Sequence, residues 1–423
     1  MARTREMLTG NASAAWGVRL AEVDYVPTYP ITPQTEIIET LAKWICDGVM
    51  DARFVSLDSE HSMITAAGAA SATGVRVFTA TSSQGLLYGF EMLYTVAGWR
   101  VPLVMVNVSR GLSAPITLEP DHNDILAARD SGFLQIHCET CQEVLDSILM
   151  AYRLAEDERV LLPMFVNMDG FHLSFTREPV EVPDINEARR FLPPYQPNHA
   201  FFKASQPMAQ GLAVIGGSPY SYFKYQMHLA SMKALDVYKE IAGEFEEIFG
   251  RSYNTIEGYM TEDAEHVLIM SNSFSTLGKD AVKKARERGV KAGLLKLRLL
   301  RPFPDADIKA ALNSKKVVAV LDQNISIGKG GILYSEIAGA LYHEQERPLL
   351  LSFIGGLGGK NISSREFEFI FDSMIKADTT GEISAPQLLY TEGEWKEMER
   401  LKHLAGKKQE SQIKIIGLYT DIN

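Results

Sequence analysis

From Tyr25 to Met168 the chain alternates short apolar segments with helix-like segments, and this alternation constrains the fold more than any other feature. Parallel strands need long crossover connections, which are usually helices, so the alternation predicts a doubly wound parallel α/β domain. The predicted strands are residues 53–57, 75–80, 102–108, 133–137 and 161–168.

A second alternation begins at Asp263 and predicts a second α/β domain, with strands at residues 266–270, 291–297, 316–321 and 349–354. Between the two series, residues 179–205 are rich in proline and charge, which is typical of a linker. Helical periodicity over residues 222–249 predicts a long connecting helix. We therefore expect domains at residues 1–255 and 256–390, followed by a peripheral helix and tail at residues 391–423.

Composition narrows the class of protein. The chain is 46% hydrophobic and 22% charged, as expected of a folded soluble protein, and its net charge of −11 argues against nucleic-acid binding. No apolar run is long enough to cross a bilayer, so we expect no membrane association. Three cysteines indicate free thiols in a reducing compartment, and we expect a cytoplasmic protein.

The turn Tyr29-Pro30-Ile31-Thr32-Pro33-Gln34-Thr35-Glu36 is stiffened by two prolines. Thr35 is a candidate N-cap for the helix that follows. A rigid turn between a strand and a helix can hold the Thr32 hydroxyl in front of a ligand. A stiff loop without such a function explains the same residues equally well.

Polar residues stand just beyond the ends of neighbouring predicted strands, where open α/β sheets bind ligands. They are Thr32, Glu60, Ser82, Ser83, Gln84 and Arg110.

Three features of this edge each allow two interpretations. A partly desolvated Glu60 can exchange a proton with a heterocyclic nitrogen, or it is an ordinary helix-start acid. Arg110 can clamp a carboxylate, or it forms a surface ion pair. His122 and Asp124 either join a buried network or cap a turn.

Three further motifs are weaker. Cys138 and Cys141 lack the two additional cysteines of a four-thiolate site, so two thiols at a strand–helix junction are the preferred interpretation. Gly328-Lys329-Gly330-Gly331 and Gly355-Gly356-Leu357-Gly358-Gly359-Lys360 are anion-binding loops or close-packed turns. The second of these lacks the Walker spacing.

Seven motifs follow one another between about residue 8 and residue 375. They are Tyr29-Pro30-Ile31-Thr32-Pro33, Ser59-Glu60-His61, Thr79-Ala80-Thr81-Ser82-Ser83-Gln84-Gly85, Ser109-Arg110, Leu300-Arg301-Pro302-Phe303-Pro304, Leu321-Asp322-Gln323-Asn324 and the glycine loop ending at Lys360. Together they resemble the α subunit of the multi-subunit 2-oxoacid:ferredoxin oxidoreductases, typified by pyruvate:ferredoxin oxidoreductase.

The resemblance implies a thiamine diphosphate enzyme whose N-terminal domain binds the pyrimidine and whose second domain is similar to the C-terminal domain of transketolase. Glu60 corresponds to the glutamate that bonds the aminopyrimidine nitrogen and activates the cofactor. Thr32 and Arg110 correspond to residues that hold the substrate carboxylate. The same correspondence places Pro30, Ile31, Ser83 and Gln84 near the cofactor and Gly111 near the substrate.

In that family a separate β subunit holds the diphosphate, Mg²⁺ and a [4Fe–4S] cluster, and γ- and δ-type ferredoxin-like subunits carry further clusters. The resemblance therefore implies no metal ligated by this chain. It implies oxidative decarboxylation of a 2-oxoacid to acyl-CoA and CO₂, with coenzyme A as acceptor and electrons leaving to ferredoxin or another acceptor.

The substrate stays open at this point. Gly111 after Arg110 would make room for a larger acyl group, so the candidates are pyruvate and a larger branched-chain or aryl 2-oxoacid, such as phenylglyoxylate. Thr32 in place of a second arginine argues against oxalate, which is a dianion. Two other classes also stay open. A non-catalytic assembly or electron-transfer scaffold subunit would keep the fold without needing Glu60, and a self-sufficient thiamine enzyme would need its own diphosphate and metal motif.

Overall fold

The computed structural model describes residues 3–197, 199 and 201–404. The predicted tail lies outside them beyond residue 404. The described chain forms two compact units. The first contains residues up to 257 together with 271–273 and 297–304, and the second contains residues 258–270, 274–296 and the described residues from 305 onward.

The elements up to Phe249 include the predicted alternation, in which helices separate the strands from Tyr25 to Asp169. In chain order they are β1 Thr4–Thr9, α1 Gly10–Leu20, β2 Tyr25–Thr28, α2 Thr35–Cys46, β3 Arg53–Ser56, α3 Glu60–Ser71, β4 Val77–Thr81, α4 Ser83–Tyr88, α5 Phe90–Trp99, β5 Leu103–Ser109, α6 Asn123–Ala127, β6 Leu134–His137, α7 Cys141–Ala155, β7 Met164–Asp169, β8 Arg177–Val182, α8 Ile185–Phe191 and α9 Gly217–Phe249.

The remaining elements are β9 Ile256–Tyr259, β10 His266–Met270, α10 Ser275–Glu287, β11 Ala292–Leu297, β12 Leu299–Arg301, α11 Asp305–Leu312, β13 Val317–Asp322, α12 Ile332–Leu341, β14 Leu349–Ile354, α13 Ser364–Thr380, β15 Gln387–Leu388 and α14 Glu392–Leu404. None of the helices in this described part of the chain combines the length and apolarity needed to cross a membrane.

The first unit is built on a seven-stranded sheet in the order β12-β6-β7-β5-β4-β2-β3. All its pairings are parallel except that of the edge strand β12 with β6. Every residue of β4, β5, β6 and β7 is buried, as expected for strands covered by helices on both faces. The parallel α/β prediction is therefore confirmed, and the carboxyl ends of β2, β3, β4 and β5 meet at one edge of the sheet.

The predicted linker at residues 179–205 is wrong in its first half. Residues 177–182 form β8, which pairs antiparallel with β1. Asp184 and Glu187 then form a capping box that starts α8. Pairing between segments so far apart in the chain has no local sequence signal. Proline and charge therefore suggested a linker, where the structure has a two-stranded antiparallel sheet.

The predicted connecting helix is confirmed as α9, which starts earlier than expected, at Gly217. Its buried positions recur at helical spacing from Ala230 through Ala234, Val237 and Ile241 to Phe245.

The second unit contains a six-stranded sheet in the order β15-β14-β13-β10-β11-β9. Strands β10, β11, β13 and β14 match the four predicted strands within one residue at each end. Helix α10 is rich in charged residues, and Gly289 follows it with φ +85°, a backbone conformation that suits a residue just after a helix.

In the two glycine loops of this unit, the groups that could bind an anion already bind carboxylates of the chain itself. The Asp322 carboxylate accepts the Leu333 amide at 2.7 Å and the Tyr334 amide at 3.2 Å, so a side chain occupies the start of α12 where an anion was considered. Lys360 donates to the buried Glu366 carboxylate at 2.5 Å. Both loops are therefore better explained as structural turns.

A buried ion pair in the first unit holds the chain just before β12. Arg298 is only 1% exposed, and its Nη2 donates to Glu143 Oε1 at 2.6 Å and to Glu257 Oε2 at 2.5 Å. Its Nη1 donates to the Asn254 carbonyl at 2.6 Å. Carboxylate oxygens of Glu139, Glu143 and Glu257 lie within 4.8 Å of one another. Because the guanidinium bonds two of these three carboxylates, the cluster is an ion pair and not a metal site.

We expect Arg298→Met to lower the stability of the first unit by about 3–5 kcal/mol, because Glu143 is then left buried without its cation. Arg159→Met is the matched control, since Arg159 pairs with Asp157 and Glu240 at the surface and its loss costs under about 1 kcal/mol. The midpoint of the first urea-unfolding transition measures both variants. Equal midpoints for the two variants would contradict the assigned role of Arg298.

Candidate active site

The proline turn at residues 29–36 connects β2 to α2 and is held from two sides. Gln34 Nε2 donates to the Tyr29 carbonyl at 3.0 Å, and Asn11 Nδ2 donates to the Pro33 carbonyl at 2.9 Å. The prediction that Thr35 caps α2 is wrong, because Thr35 is the first helical residue and Gln34 occupies the cap position. The helix includes Thr35 because Gln34 before it already has turn-like backbone angles.

Thr32 lies at the exposed outer side of this turn, next to the exposed Pro30 and the half-buried Ile31. Its contact with the rest of the edge is made by the main chain, since the Thr32 carbonyl accepts from Arg110 Nη1 at 2.7 Å. Thr32 thus stands at the expected edge, where its carbonyl holds Arg110. That its hydroxyl faces a ligand stays a prediction.

Arg110 follows β5 directly and is 6% exposed. Its Nη2 donates to Gln84 Oε1 at 2.8 Å, while its buried Nε has no hydrogen-bond partner among the described residues. Burial lowers the pKa of the guanidinium, an effect that Asp124 opposes. No ion pair in the described part of the chain neutralises this cation, so Arg110 has the capacity to bind an anion.

Ser83 and Gln84 start α4 and tie the loop after β4 to the loop after β5. The Ser83 hydroxyl lies 3.0 Å from the Gly111 carbonyl and 2.7 Å from Gln84 Oε1. Gln84 Nε2 donates to Ser113 Oγ at 2.8 Å. The two loops are thus crosslinked by side chains on both sides of Arg110.

The absence of a side chain at Gly111 is required by the loop that follows it. A Cβ at this position would lie 2.6 Å from Thr117 Cγ2 and 3.0 Å from Asp121 Oδ2. The Gly111 amide also donates to the Glu119 carbonyl at 3.0 Å. Room for a larger acyl group therefore does not follow from glycine at this position.

Glu60 is the first residue of α3, whose N-cap Ser59 accepts the Ser62 amide at 3.2 Å. Glu60 is 6% exposed, and burial raises the pKa of its carboxyl group. No side chain of the described residues donates to this carboxylate. Glu60 is thus a helix-start acid, as one interpretation held, and it is also a desolvated acid without a side-chain partner.

Gly85 in α4 faces the Glu60 carboxylate at very short range. A Cβ on Gly85 would lie 2.5 Å from Glu60 Oε1 and 2.6 Å from Thr81 Oγ1, and that hydroxyl is itself buried and has no partner among the described residues. The glycine therefore lets α4 pack closely against the buried carboxylate, where a larger residue would clash with it.

A buried polar network lies beneath these loops. Asp124 in α6 is fully buried between Asn107, Ser109 and the amides of Ser83 and Arg110. Burial raises the pKa of the Asp124 carboxyl, and the hydrogen bonds from Ser83 and Asn107 oppose that rise. Of the two interpretations given for His122 and Asp124, the structure supports the buried network.

The network extends to the end of β7. His122 Nε2 lies 2.9 Å from Asp169 Oδ1, and Asp169 Oδ2 accepts from Ser273 Oγ at 2.5 Å. Burial disfavours the charged form of His122, but Asp169 outweighs that effect and the pKa of His122 is raised.

Sequence reasoning missed Asn107, Asn167 and Asp169. Their signal was a polar residue inside an otherwise apolar strand.

The three cysteines are free, and Cys138 and Cys141 are buried at the junction of β6 and α7. Burial, with the nearby Glu178, raises the pKa of the Cys141 thiol well above its usual range. A thiol held in its protonated form is a poor nucleophile and a poor metal ligand. This agrees with the preferred interpretation of two structural thiols.

The edge of the first sheet thus contains a buried acid and a buried guanidinium, neither of them in an ion pair among the described residues, connected through Gly85, Gln84 and Thr32. A desolvated carboxyl group suits a hydrogen bond with a heterocyclic nitrogen, and a guanidinium suits a carboxylate. The donor set therefore fits the aminopyrimidine of thiamine diphosphate and a small 2-oxoacid.

Comparison with family models agrees with this chemistry. The model described as "Pyruvate flavodoxin/ferredoxin oxidoreductase, thiamine diP-bdg" matches residues 16–243. The model described as "Pyruvate:ferredoxin oxidoreductase core domain II" matches residues 264–367.

Relatives match over nearly their whole length. The chain is 42% identical to the pyruvate synthase subunit PorA of Pyrococcus horikoshii, covering 90% of this chain and 96% of the relative. It is 42% identical to PorA of Methanothermobacter thermautotrophicus, covering 86% and 94%. It is also 40% identical to the ketoisovalerate oxidoreductase subunit VorA of Pyrococcus horikoshii, covering 94% and 98%.

Among solved structures, the 2-oxoglutarate:ferredoxin oxidoreductase of Magnetococcus marinus matches with a TM-score of 0.67 at 20% identity, covering 88% of this chain and 65% of that one. A split-gene transketolase matches with a TM-score of 0.51 at 12% identity, covering 86% and 97%. These two likenesses concern the fold alone. The family models and the relatives lead to one conclusion: the chain belongs to the pyruvate:ferredoxin oxidoreductase family, as a subunit of a thiamine diphosphate-dependent 2-oxoacid:ferredoxin oxidoreductase.

Proposed function

We propose that this chain is the catalytic α subunit of its complex, with the reacting edge formed by Glu60, Arg110 and Thr32. The observation that carries the proposal is the Glu60 carboxyl group, which is buried, raised in pKa and without a side-chain partner among the described residues. A buried acid without a side-chain partner costs stability, so its presence at the carboxyl edge of a parallel sheet points to function.

Glu60 would hold the aminopyrimidine of thiamine diphosphate, with Pro30, Ile31, Ser83 and Gln84 around the ring. When bound, the cofactor supplies the nucleophile and electron sink that decarboxylation of a 2-oxoacid requires. Glu60 exchanges a proton with the ring nitrogen, and its burial keeps that exchange separate from bulk water. Gly85 lets α4 pack against the acid without displacing it, since any larger residue there would clash with the carboxylate.

Arg110 would bind the substrate carboxylate, with Thr32 and Gly111 beside it. The Thr32 carbonyl and Gln84 Oε1 hold Nη1 and Nη2 in place, and the buried Nε has no partner among the described residues. A guanidinium held in this way is oriented before substrate arrives, which lowers the entropic cost of binding.

We propose pyruvate or a larger branched-chain or aryl 2-oxoacid as substrate, with conversion to acyl-CoA and CO₂. Sequence identity does not distinguish pyruvate from a branched-chain 2-oxoacid, since it is 42% to a pyruvate synthase subunit and 40% to a ketoisovalerate oxidoreductase subunit. Phenylglyoxylate represents the aryl class in the test below.

The proposed partners are a β subunit that completes the thiamine diphosphate and Mg²⁺ site and γ- and δ-type ferredoxin-like subunits. The [4Fe–4S] clusters would belong to those partners, which pass electrons to ferredoxin or another acceptor. The names of the relatives support this arrangement, because each is itself a subunit. We also propose a cytoplasmic location and functional domains at residues 1–255 and 256–390, with residues 391–423 peripheral.

The test is co-expression with the partner subunits, followed by assay of the purified complex with coenzyme A and a dye acceptor. We expect dye reduction with at least one of pyruvate, ketoisovalerate and phenylglyoxylate, and we expect thiamine diphosphate and iron to co-purify with the complex but iron not with this chain alone. A complex containing both groups that oxidises none of the three acids would contradict the proposal.

A further inference from the structure

We propose that Asp124 is the positioning residue of this active site: its carboxylate binds the main-chain amides of Ser83 and Arg110 and so sets the spacing between the two loops that carry the ligand-binding side chains. The proposal rests on the function proposed above for Arg110, but its structural part can be tested without any assay of turnover.

One oxygen of Asp124 connects the two loops. Oδ2 accepts the Ser83 amide at 3.0 Å and the Arg110 amide at 3.2 Å. Ser83 is the first residue of α4, where an amide has no acceptor within its own helix, and Arg110 stands one residue beyond the end of β5. A single acceptor thus fixes two main-chain positions that belong to different βα connections.

The carboxylate is itself held rigidly. Asn107 Nδ2 donates to Oδ2 at 3.2 Å, and the Ile125 amide donates to Oδ1 at 2.7 Å. The Ser109 hydroxyl lies 3.1 Å from Oδ1 and 2.8 Å from Asn167 Oδ1, so its one proton is shared between them. Asp124 is completely buried, and donors therefore surround both of its oxygens.

The backbone at Ser83 shows why such an anchor is needed. Ser83 has φ +49°, a left-handed conformation that is unfavourable for a residue with a side chain. The bond from its amide to Asp124 and the bond from its hydroxyl to the Gly111 carbonyl oppose relaxation of this strained residue. Without the carboxylate, the start of α4 is free to move away from Arg110.

Movement of either loop would misplace the guanidinium. Arg110 reaches Gln84 Oε1 from the β5 loop, and Gln84 directly follows Ser83. A shift of α4 or of the Arg110 main chain therefore changes the orientation of the cation toward the substrate carboxylate. Displacements of about 1 Å in such a site can lower catalysis about 10²-fold.

The first experiment compares Asp124→Asn with Asp146→Asn in the reconstituted complex. The amide is isosteric, but its NH₂ group faces a main-chain donor in either orientation. At Oδ2 it meets the Ser83 and Arg110 amides, and at Oδ1 it meets the Ile125 amide, so the side chain has to leave its present position. Asp146 is an equally buried aspartate that binds Arg251 and Tyr253 away from these loops. We expect Asp124→Asn to raise KM for the 2-oxoacid about tenfold or more, and Asp146→Asn to change it less than about twofold.

A similar rise in KM for both variants would show a general structural effect and overturn the proposal, as would an unchanged KM for Asp124→Asn. The wild-type complex is measured first. A wild-type complex that oxidises no 2-oxoacid refutes the proposed function, and the positioning role is then decided by the second experiment.

The second experiment measures amide hydrogen exchange on the full-length chain. We expect the Ser83 and Arg110 amides to be protected in the wild-type protein, although one is at a helix start and the other lies beyond a strand. Asp124→Asn should speed their exchange at least about tenfold while Asp146→Asn does not. Fast exchange at either amide in the wild-type chain overturns the proposal, even where Asp124→Asn does not fold.

Discussion

Glu60→Gln is expected to lower kcat of the reconstituted complex by about 10²–10⁴-fold while leaving assembly intact, because the amide cannot exchange a proton with a ring nitrogen. Glutamine matches the shape and hydrogen-bonding reach of glutamate, so the loss would reflect acid–base chemistry and not packing. Steady-state turnover measures the effect, and size-exclusion chromatography establishes that the subunits still associate.

Glu91→Gln is the matched control. Glu91 lies in α5 with a side chain that is 84% exposed, and its Oε2 lies 3.8 Å from His61 Nε2. Its substitution should change kcat less than about twofold. Near-normal turnover in Glu60→Gln would remove Glu60 from the chemistry and favour a scaffold role for this subunit.

Glu60→Gln should also raise the thermal stability of the isolated chain at neutral pH. Burial raises the folded-state pKa of Glu60 above its usual value of 4.5, so the ionised form destabilises the fold at any pH above the folded pKa. As pH falls through the folded pKa toward 4.5, the wild-type carboxyl group becomes protonated and this penalty disappears. The Tm advantage of Glu60→Gln should therefore be largest near neutral pH and should shrink as the pH approaches the usual pKa of a glutamate.

A constant difference in Tm across that pH range would indicate a packing effect. A lower Tm at neutral pH for Glu60→Gln would show that the carboxylate has stabilising partners. Opposite changes in stability and turnover are expected where a fold keeps an unfavourable group for its chemistry.

The second large effect is expected at Arg110. Arg110→Ala should lower kcat/KM for the 2-oxoacid by about 10²–10³-fold, mainly through KM, since the substrate carboxylate loses a desolvated charge partner. Arg110→Lys should recover only part of this loss, because an ammonium group cannot keep the bonds to the Thr32 carbonyl and to Gln84 Oε1 while also binding a carboxylate.

Arg189→Ala is the control for Arg110→Ala. Arg189 forms an exposed ion pair with Glu22, and its removal should leave both kinetic constants within about twofold of the wild type. Free guanidinium ion added to Arg110→Ala should restore part of the lost activity, as the cavity of the missing side chain remains. An unchanged kcat/KM in Arg110→Ala would exclude a role for this residue in substrate binding.

The strands of both sheets were predictable because their signal is local. Each is a short apolar run between turn residues, and the bounds of β10 and β14 agree with the predicted ones at both ends. The parallel arrangement followed from the alternation with helices. By contrast, β1, β8, β9, β12 and β15 were missed. The strands that β1 and β12 pair with lie in distant parts of the chain, so their pairing has no local signal.

The candidate site was predictable at the level of residue type and only partly at the level of contact. Glu60, Ser83, Gln84 and Arg110 stand at the ends of neighbouring strands because parallel topology places those ends at one edge. The bond from Arg110 to the Thr32 carbonyl was not predicted, because it joins main chain and side chain of loops 78 residues apart. The space attributed to Gly111 is filled by its own loop.

By itself the sequence determined the α/β class, the family and the polar edge of the sheet where we propose that ligands bind, because these depend on periodicity and on short ordered motifs. Only the tertiary structure decided which groups are buried without partners and which are satisfied. Glu60 has no side-chain donor among the described residues, whereas Asp124 is surrounded by donors and Asp322 is bound to the start of α12. Burial and hydrogen bonding depend on segments far apart in the chain, and they distinguish a reactive carboxylate from a structural one.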